Sequence, residues 1–95
     1  MTLVKNLNGT SDNDPRSHGY ASWKDFWEDK TSRRFADITC SRSGCMHTPK
    51  VGAHVQKVHG GDEWYIVPLC AGCNQLPSYH EFEVRDNDLV PVNDR

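Results

Sequence analysis

The chain has 95 residues, of which 36% are hydrophobic and 25% are charged. A single domain of this size buries only about 60–65% of the surface that its unfolded chain exposes, so its stability is marginal without a crosslink or a metal ion. No apolar run approaches the ~20 residues that span a membrane, and a formal net charge of −2 does not favour nucleic acid as the partner of the chain as a whole.

The first 20 residues have the composition of an irregular arm. They are rich in Asn, Asp, Gly, Ser and Pro, and the run NGTSDNDP at 8–15 contains several turn signals. They lack a basic start, an apolar core and a small-residue cleavage site, so they do not form a signal peptide. We therefore expect a cytoplasmic protein in which residues 21–95 form one domain.

The segment ASWKDFWEDKTSRRF at 21–35 predicts a packing helix. Ser22 can act as N-cap, with Asp25 as its capping-box partner. The aromatic residues then recur at the spacing i, i+3 and i+4, which is typical of an amphipathic helix of about ten residues. The recurring positions are Trp23, Phe26 and Trp27. In a chain with few aliphatic residues this stripe is expected to pack into the core, although a binding surface is the alternative.

The four cysteines form two close pairs, Cys40-x4-Cys45 and Cys70-x2-Cys73. This spacing lets each pair donate two thiolates to one tetrahedral Zn²⁺ through a short turn. Gly44 and Gly72 lie within those turns and are expected to supply the backbone freedom that they need. The sequence therefore predicts one structural zinc site.

Other uses of these cysteines fit the sequence less well. Two disulfides would require an oxidising compartment, and no export signal is present. His47 and His59 could replace a thiolate, but four thiolates already complete a zinc site. Four thiolates and one Zn²⁺ add two negative charges to the formal −2, so the metal-bound protein carries about −4.

Charge is distributed unevenly along the chain. Residues 30–61 contain six Lys or Arg and one acidic residue, whereas residues 62–95 contain seven acidic residues and two Arg. The basic region could contact phosphates, and the acidic region could bind a basic protein; solvated faces without a partner are the alternative. The predicted nucleic-acid contacts are Arg33, Arg34, Arg42, Lys50 and Lys57. The acidic candidates are Asp62, Glu63, Glu81 and Glu83.

A β-hairpin is predicted between the two cysteine pairs. TPKVGAHVQKV alternates and is rich in β-branched residues, HGGD at 59–62 favours a turn, and EWYIVPLC forms the second strand. A short helix should begin at Cys70 or Cys73, with Pro77 limiting its length. EFEV and LVPVN predict two more short strands, within 80–93, on either side of the turn RDND.

The predicted elements have the layout of a treble-clef zinc finger. They are a knuckle with two cysteines, a hairpin, and a helix that carries the second cysteine pair. The string C-x4-C…GAHV…YIVPLCAGCN, at about residues 40–75, resembles the HNH endonucleases that carry an accessory zinc. The resemblance implies a small α+β zinc-stabilised domain with a ββα-metal site. By this resemblance His54 takes the place of the general base, and Asn74 takes the place of the last ligand of a catalytic Mg²⁺ or Mn²⁺.

Two positions depart from the HNH pattern. Ala53, which has no donor atom, stands where the family often has a metal ligand, and Tyr65 stands in place of the central asparagine. Asn74 alone is a poor Mg²⁺ site unless Asp62, His59 or the nucleic acid supplies further ligands.

Two functions follow from the resemblance. The first is a catalytically degenerate HNH-like binding protein, which would act as a regulator or inhibitor of nucleic acid or of a nucleic-acid-processing protein and could be encoded by a phage or mobile element. The second is a metal-dependent DNA endonuclease that uses His54. The missing ligand at Ala53 favours the first.

Overall fold

The computed structural model describes residues 1–7 and 15–92, which form one five-stranded antiparallel sheet with helices packed against it. The strands are β1 Thr2–Asn6, β2 Val51–Lys57, β3 Trp64–Leu69, β4 Glu81–Val84 and β5 Val90–Pro91. The helices are α1 Trp23–Thr31 and α2 Ala71–Asn74, and three 3-10 turns lie at Pro15–His18, Phe35–Asp37 and Asp86–Asp88. The strand order is β4-β1-β2-β3-β5.

The prediction of an irregular N-terminal arm is wrong for Thr2–Asn6, because these residues form β1, which lies inside the sheet between β4 and β2. Val4 is fully buried and Asn6 nearly so, and both side chains point to the same face because strand residues alternate. The residues of β1 pair with residues at least 49 positions further along the chain, so no local turn signal marks this strand. The turn-rich residues 8–14 lie outside the described residues.

The predicted hairpin of β2 and β3 is confirmed. Its register runs from Val51 opposite Leu69 to Gln56 opposite Trp64. Gly61 adopts φ +85° in the connecting turn, a conformation that favours glycine. The apolar run of β3 is buried on both faces, because α1 covers one face and the cysteine-containing core covers the other.

The two predicted C-terminal strands are present, but they do not pair with each other. β4 pairs with β1 at one edge of the sheet, and β5 pairs with β3 at the other edge. The buried Asp88 ends the connection between them and accepts hydrogen bonds from Arg33, Arg85 and Ser41, each at 2.8 Å. This carboxylate therefore ties the C-terminal segment both to the end of α1 and to the first cysteine pair.

Helix α1 begins and packs as its sequence predicts. The Ser22 hydroxyl accepts a hydrogen bond from the Asp25 N–H at 3.1 Å, and the aromatic stripe is buried. The helix ends at Thr31, followed by Ser32 at φ 57°, so it is shorter than the predicted segment. Phe35 lies in the next 3-10 turn and packs edge-on against Trp27. None of the helices in residues 1–7 and 15–92 has the length and apolarity that crossing a bilayer requires.

The sheet curls around the core that contains the cysteines. The Ser41 N–H donates to the Pro68 carbonyl on β3 at 2.8 Å, and the Ser43 N–H donates to the Glu83 carbonyl on β4 at 2.7 Å. Since β3 and β4 are separated by two strands in the sheet, residues only two apart can bond to both only if the sheet bends to bring them together. The first cysteine pair therefore closes one side of the curled sheet.

The start of α1 approaches β2 so closely that only glycine fits at position 52. A Cβ on Gly52 would lie 2.7 Å from the Trp23 carbonyl carbon and 2.9 Å from the Lys24 nitrogen, both of which are backbone atoms. We expect Gly52→Ala to lower the free energy of unfolding by about 1–3 kcal/mol through overpacking.

Gly72→Ala is the matched control for this substitution. Gly72 is helical, and outside its chain neighbours and the backbone of its own helix a Cβ there would meet none of the described atoms within 4 Å. Alanine should therefore be neutral or raise the free energy of unfolding by up to about 1 kcal/mol. Urea melts of both variants test the prediction. Equal stability of Gly52→Ala and wild type would contradict the packing of α1 on β2.

Candidate metal centre

The two cysteine pairs meet at one end of the hairpin. Cys40 and Cys45 lie in the loop before β2, while Cys70 is the N-cap of α2 and Cys73 lies within that helix. All four Sγ atoms lie within 4.8 Å of one another, although the pairs are 25 residues apart in sequence. The predicted convergence of the four cysteines is confirmed, and they are placed to hold one metal ion.

The spacing of the sulfurs fits a tetrahedral ion. A tetrahedron with metal–sulfur bonds of about 2.3 Å has sulfur–sulfur edges of about 3.8 Å. The Cys45 Sγ lies 3.8 Å from the Cys70 Sγ and 3.9 Å from the Cys73 Sγ. A disulfide requires about 2.05 Å, and all four thiols are free. The four sulfurs therefore fit one shared ion better than two disulfides.

Backbone hydrogen bonds shape the loop that carries the first pair. The Cys45 N–H donates to the Arg42 carbonyl at 3.0 Å, and the Cys40 N–H donates to the His47 carbonyl at 2.8 Å. Gly44 has φ +83°, so the predicted need for glycine is confirmed there. The same prediction is wrong for Gly72, because α2 turns with ordinary helical geometry at that position.

The thiols differ in how readily they ionise. Burial raises the pKa of Cys40 to about 12. Burial also raises the pKa of Cys73, helped by its contact with Cys70. Burial acts in the same direction on Cys70, but hydrogen bonds from the Cys73 N–H and from the neighbouring thiols outweigh it and lower the pKa of Cys70. A divalent ion stabilises all four thiolates together, which the protein groups alone do not.

The two histidines proposed as substitute ligands lie at opposite ends of the hairpin. The His47 Nδ1 is 3.5 Å from the Cys45 Sγ, so this ring stands beside the cluster. His59 lies in the turn beyond β2, and β3 alone, with its six residues, spans about 20 Å. Of these two rings, only that of His47 is near enough to compete for the ion.

The structure does not bring His54 and Asn74 together. Ala53 and Val55 point into the core with the cysteines, so His54 between them points to the opposite face. There its ring lies 4.9 Å from the ring of Trp23 on α1, and burial lowers the pKa of His54. Asn74 lies on α2, on the cysteine side of the sheet, and is exposed.

Three of the five predicted nucleic-acid contacts have partners within the protein. The Arg33 guanidinium bonds to Asp88 and lies over Trp27, while Arg42 and Lys57 lie over aromatic rings of the core. The Arg42 Nη1 is also 4.0 Å from the Cys73 Sγ.

The remaining two contacts, Arg34 and Lys50, are exposed. Lys50 and Lys57 stand at opposite ends of β2, roughly 23 Å apart for an extended strand. Lys50 and Lys57 are therefore too far apart to contact the same phosphate.

Asn6 is a supporting residue that the sequence analysis missed. Its amide donates to the Cys73 carbonyl at 2.9 Å and to the Leu76 carbonyl at 3.0 Å, which fixes the end of α2 against β1. Its Oδ1 atom is buried without a hydrogen-bond partner among the described residues. A polar residue at an inward position of a strand indicates such a supporting role. Asn6 can be recognised in this way only after β1 is known to be a strand.

Comparison with known proteins identifies no relative. No protein-family model matches the chain, and no curated protein or solved structure matches it either. The described residues form a small α+β domain with one antiparallel sheet and four cysteines placed to hold one metal ion.

Proposed function

We propose that the protein is a zinc-stabilised binding module of HNH-like, treble-clef type that has lost catalysis and acts on nucleic acid or on a nucleic-acid-processing protein as a regulator or inhibitor. The observation that carries the proposal is the closed cluster of four sulfurs at the junction of loop, hairpin and helix. Four protein thiolates complete a tetrahedral site and leave no position for substrate, which is the pattern of a structural zinc rather than a catalytic one.

The order of elements supports the treble-clef assignment. The cysteine loop, the hairpin of β2 and β3, and α2 follow one another directly, and the ion would bridge the loop and the helix. When bound, zinc would supply a crosslink between the cysteine loop and α2, and Cys40, Cys45, Cys70 and Cys73 would hold it.

The separation of His54 from Asn74 supports the loss of catalysis. A general base and a metal ligand must reach the same phosphodiester, but these residues lie on opposite faces of the sheet. His54 instead packs among aromatic rings next to α1. Ala53, which precedes it, points into the core and carries no donor atom.

An endonuclease assay tests the loss of catalysis. We expect no cleavage of supercoiled plasmid above background with Mg²⁺ or Mn²⁺, because His54 and Asn74 lie on opposite faces of the sheet and the four cysteines are the group of His, Cys, Asp or Glu side chains that converges among the described residues. Cleavage that depends on either ion and is lost in His54→Ala and in Asn74→Ala would overturn the proposal. His59→Ala, in the distant turn, is the matched control and should change nothing.

The partner is tested by capture from cell extract with the purified, metal-loaded protein. We expect enrichment of nucleic acid, or of proteins that act on it, relative to a control column. Repeating the capture after nuclease treatment separates a protein partner, which remains, from nucleic acid, which is lost. Enrichment of neither class would contradict the proposed role.

A further inference from the structure

A groove runs between α1 and the edge strand β5, on the side of the sheet away from the cysteines. It consists of two adjoining cavities of about 580 Å³ and about 360 Å³. Both are lined by Lys30 at the end of α1 and by Val90 and Pro91 of β5, so they form one continuous depression. Each lies within the range of roughly 300–1,000 Å³ that is typical of small-ligand sites.

The larger cavity is positively charged. Lys30 and Arg33 line it, and no Asp or Glu side chain is among the described residues that line either cavity. Asp88, beneath the groove, bonds to both Arg33 and Arg85, so one buried carboxylate faces two guanidiniums and positive charge is left over. The Arg33 side chain is 37% exposed, which leaves part of it available to an anion in the groove.

The smaller cavity is aromatic. Tyr20 and Phe26 line it, with their ring centroids 5.4 Å apart in an edge-to-face arrangement, and His18 stands on its rim. The Tyr20 hydroxyl donates to the Asp29 carboxylate at 2.6 Å, which fixes the orientation of the ring. Phe26 is only 3% exposed and supports the half-buried Tyr20 from below, so a flat ring system could pack against Tyr20 while an attached anion lies in the basic cavity next to it.

The backbone of β5 argues against a peptide that binds as an added strand. The Val92 N–H donates to the Trp64 carbonyl, so alternation turns the backbone groups of Pro91 and Leu89 outward. Pro91 has no N–H, and the Leu89 N–H already donates to the Asp86 carbonyl at 3.3 Å. Within residues 89–92 this edge therefore has no free outward N–H to offer to an incoming strand, which favours recognition by side chains.

We propose that this groove binds a short stretch of single-stranded nucleic acid, with a phosphate between Lys30 and Arg33 and a base against the half-buried ring of Tyr20. A basic groove with adjacent aromatic rings is the arrangement that single-strand binding uses. The inference rests on nucleic acid being the partner in the proposed function. The proposal places the nucleic-acid contact in this groove. Among the described residues that line the groove, only Arg33 is one of the nucleic-acid contacts predicted from the sequence.

Fluorescence anisotropy with labelled 12-nucleotide oligo-dT and oligo-U tests the groove and separates DNA from RNA. A plot of log affinity against log salt has a negative slope. Lys30→Gln should make that slope less steep by about 0.7, the value for one phosphate contact on a single strand. Tyr20→Ala should weaken binding by a factor of about 5 to about 150, the equivalent of one lost base contact. Tyr20→Phe, which keeps the ring, should weaken it much less.

Lys50→Gln is the matched control, because it removes one exposed charge near the cysteines, far from the groove, and should leave the salt slope unchanged. Melting curves should show all variants folded. An effect of Lys50→Gln equal to that of Lys30→Gln would place the contact elsewhere and overturn the groove while leaving the proposed function intact. Absence of binding by wild type to either oligomer at low salt would also overturn the groove; capture of a nuclease-resistant protein partner would then still support the proposed function.

Discussion

Removing the metal ion is expected to unfold most of the domain. Three of the four cysteines belong to the same buried cluster as β1, β2 and β3, so loss of the ion releases the cysteine loop and α2 and opens that core. Binding of structural zinc contributes about 10–16 kcal/mol to folding in small zinc domains, which is comparable to the whole stability of about 5–15 kcal/mol that is typical of a native protein. Circular dichroism melts with and without a strong chelator measure the effect.

Cys70→Ser should reproduce the effect of the chelator without removing metal from the buffer. Ser43→Ala is its matched control, because Ser43 is exposed in the same loop and its described contact uses the backbone N–H. Adding Zn²⁺ back to the chelated wild type should restore the melting transition. An unchanged cooperative melt after the metal has been removed would show that the core holds without it.

Trp27→Ala is expected to lower the free energy of unfolding by about 3–5 kcal/mol, the cost of removing a fully buried aromatic ring. Trp27 is 0% exposed, and its ring packs edge-on against Phe35 and beneath the Arg33 guanidinium. Its Nε1–H also donates to the Asp88 carbonyl at 2.8 Å. The substitution therefore leaves a cavity and an unpaired carbonyl at the point where α1 meets the C-terminal segment. Urea melts give the change.

Two further variants separate the contributions of the Trp27 ring and its N–H. Trp27→Phe keeps most of the ring but loses the hydrogen bond, and should cost less than Trp27→Ala. Tyr79→Ala removes an aromatic ring that is 85% exposed and should leave stability nearly unchanged. If Trp27→Ala melted like wild type but lost a partner, the stripe would be a binding surface and its assignment to the core would be wrong.

The elements that depend on neighbouring residues were predictable from the sequence. The Ser22 cap and the aromatic spacing predicted α1, and the alternation around the Gly-Gly turn predicted the hairpin. The two cysteine spacings predicted one shared cluster, because each pair must present its thiols on one short turn. In each case the residues that decide the structure lie within a few positions of one another.

Elements that depend on distant partners were not predictable in the same way. β1 is short and precedes a turn-rich run, and it is a strand because β2 and β4 pair with it from far along the chain. β4 and β5 were predicted as strands, but only the three-dimensional arrangement places them at opposite edges. In the sequence, Asp88 is part of the predicted polar turn RDND. Its burial depends on two arginines and a serine that donate hydrogen bonds to it from distant and neighbouring positions.

The motif around His54 does not predict the face of the sheet to which this side chain points. By resemblance, the string GAHV places His54 at the general-base position, a role that stays a prediction; the neighbouring Ala53 and Val55 are the residues that turn inward toward the cysteines. A strand residue points away from its two neighbours, so His54 lies against α1 instead. The motif gave the position of the residue along the chain, whereas the burial of its neighbours determines which face it points to.

X-ray absorption at the zinc edge of the purified protein tests the central claim, a closed site of four thiolates, most directly. The four Sγ atoms converge within 4.8 Å of one another, and for the proposed zinc we expect one ion per chain with four sulfur ligands at about 2.3 Å. His47 is the nearest competitor, with its Nδ1 3.5 Å from the Cys45 Sγ. Three sulfurs and one nitrogen or oxygen at about 2.0–2.1 Å would contradict the claim, because the site would then be either completed by histidine or open to solvent.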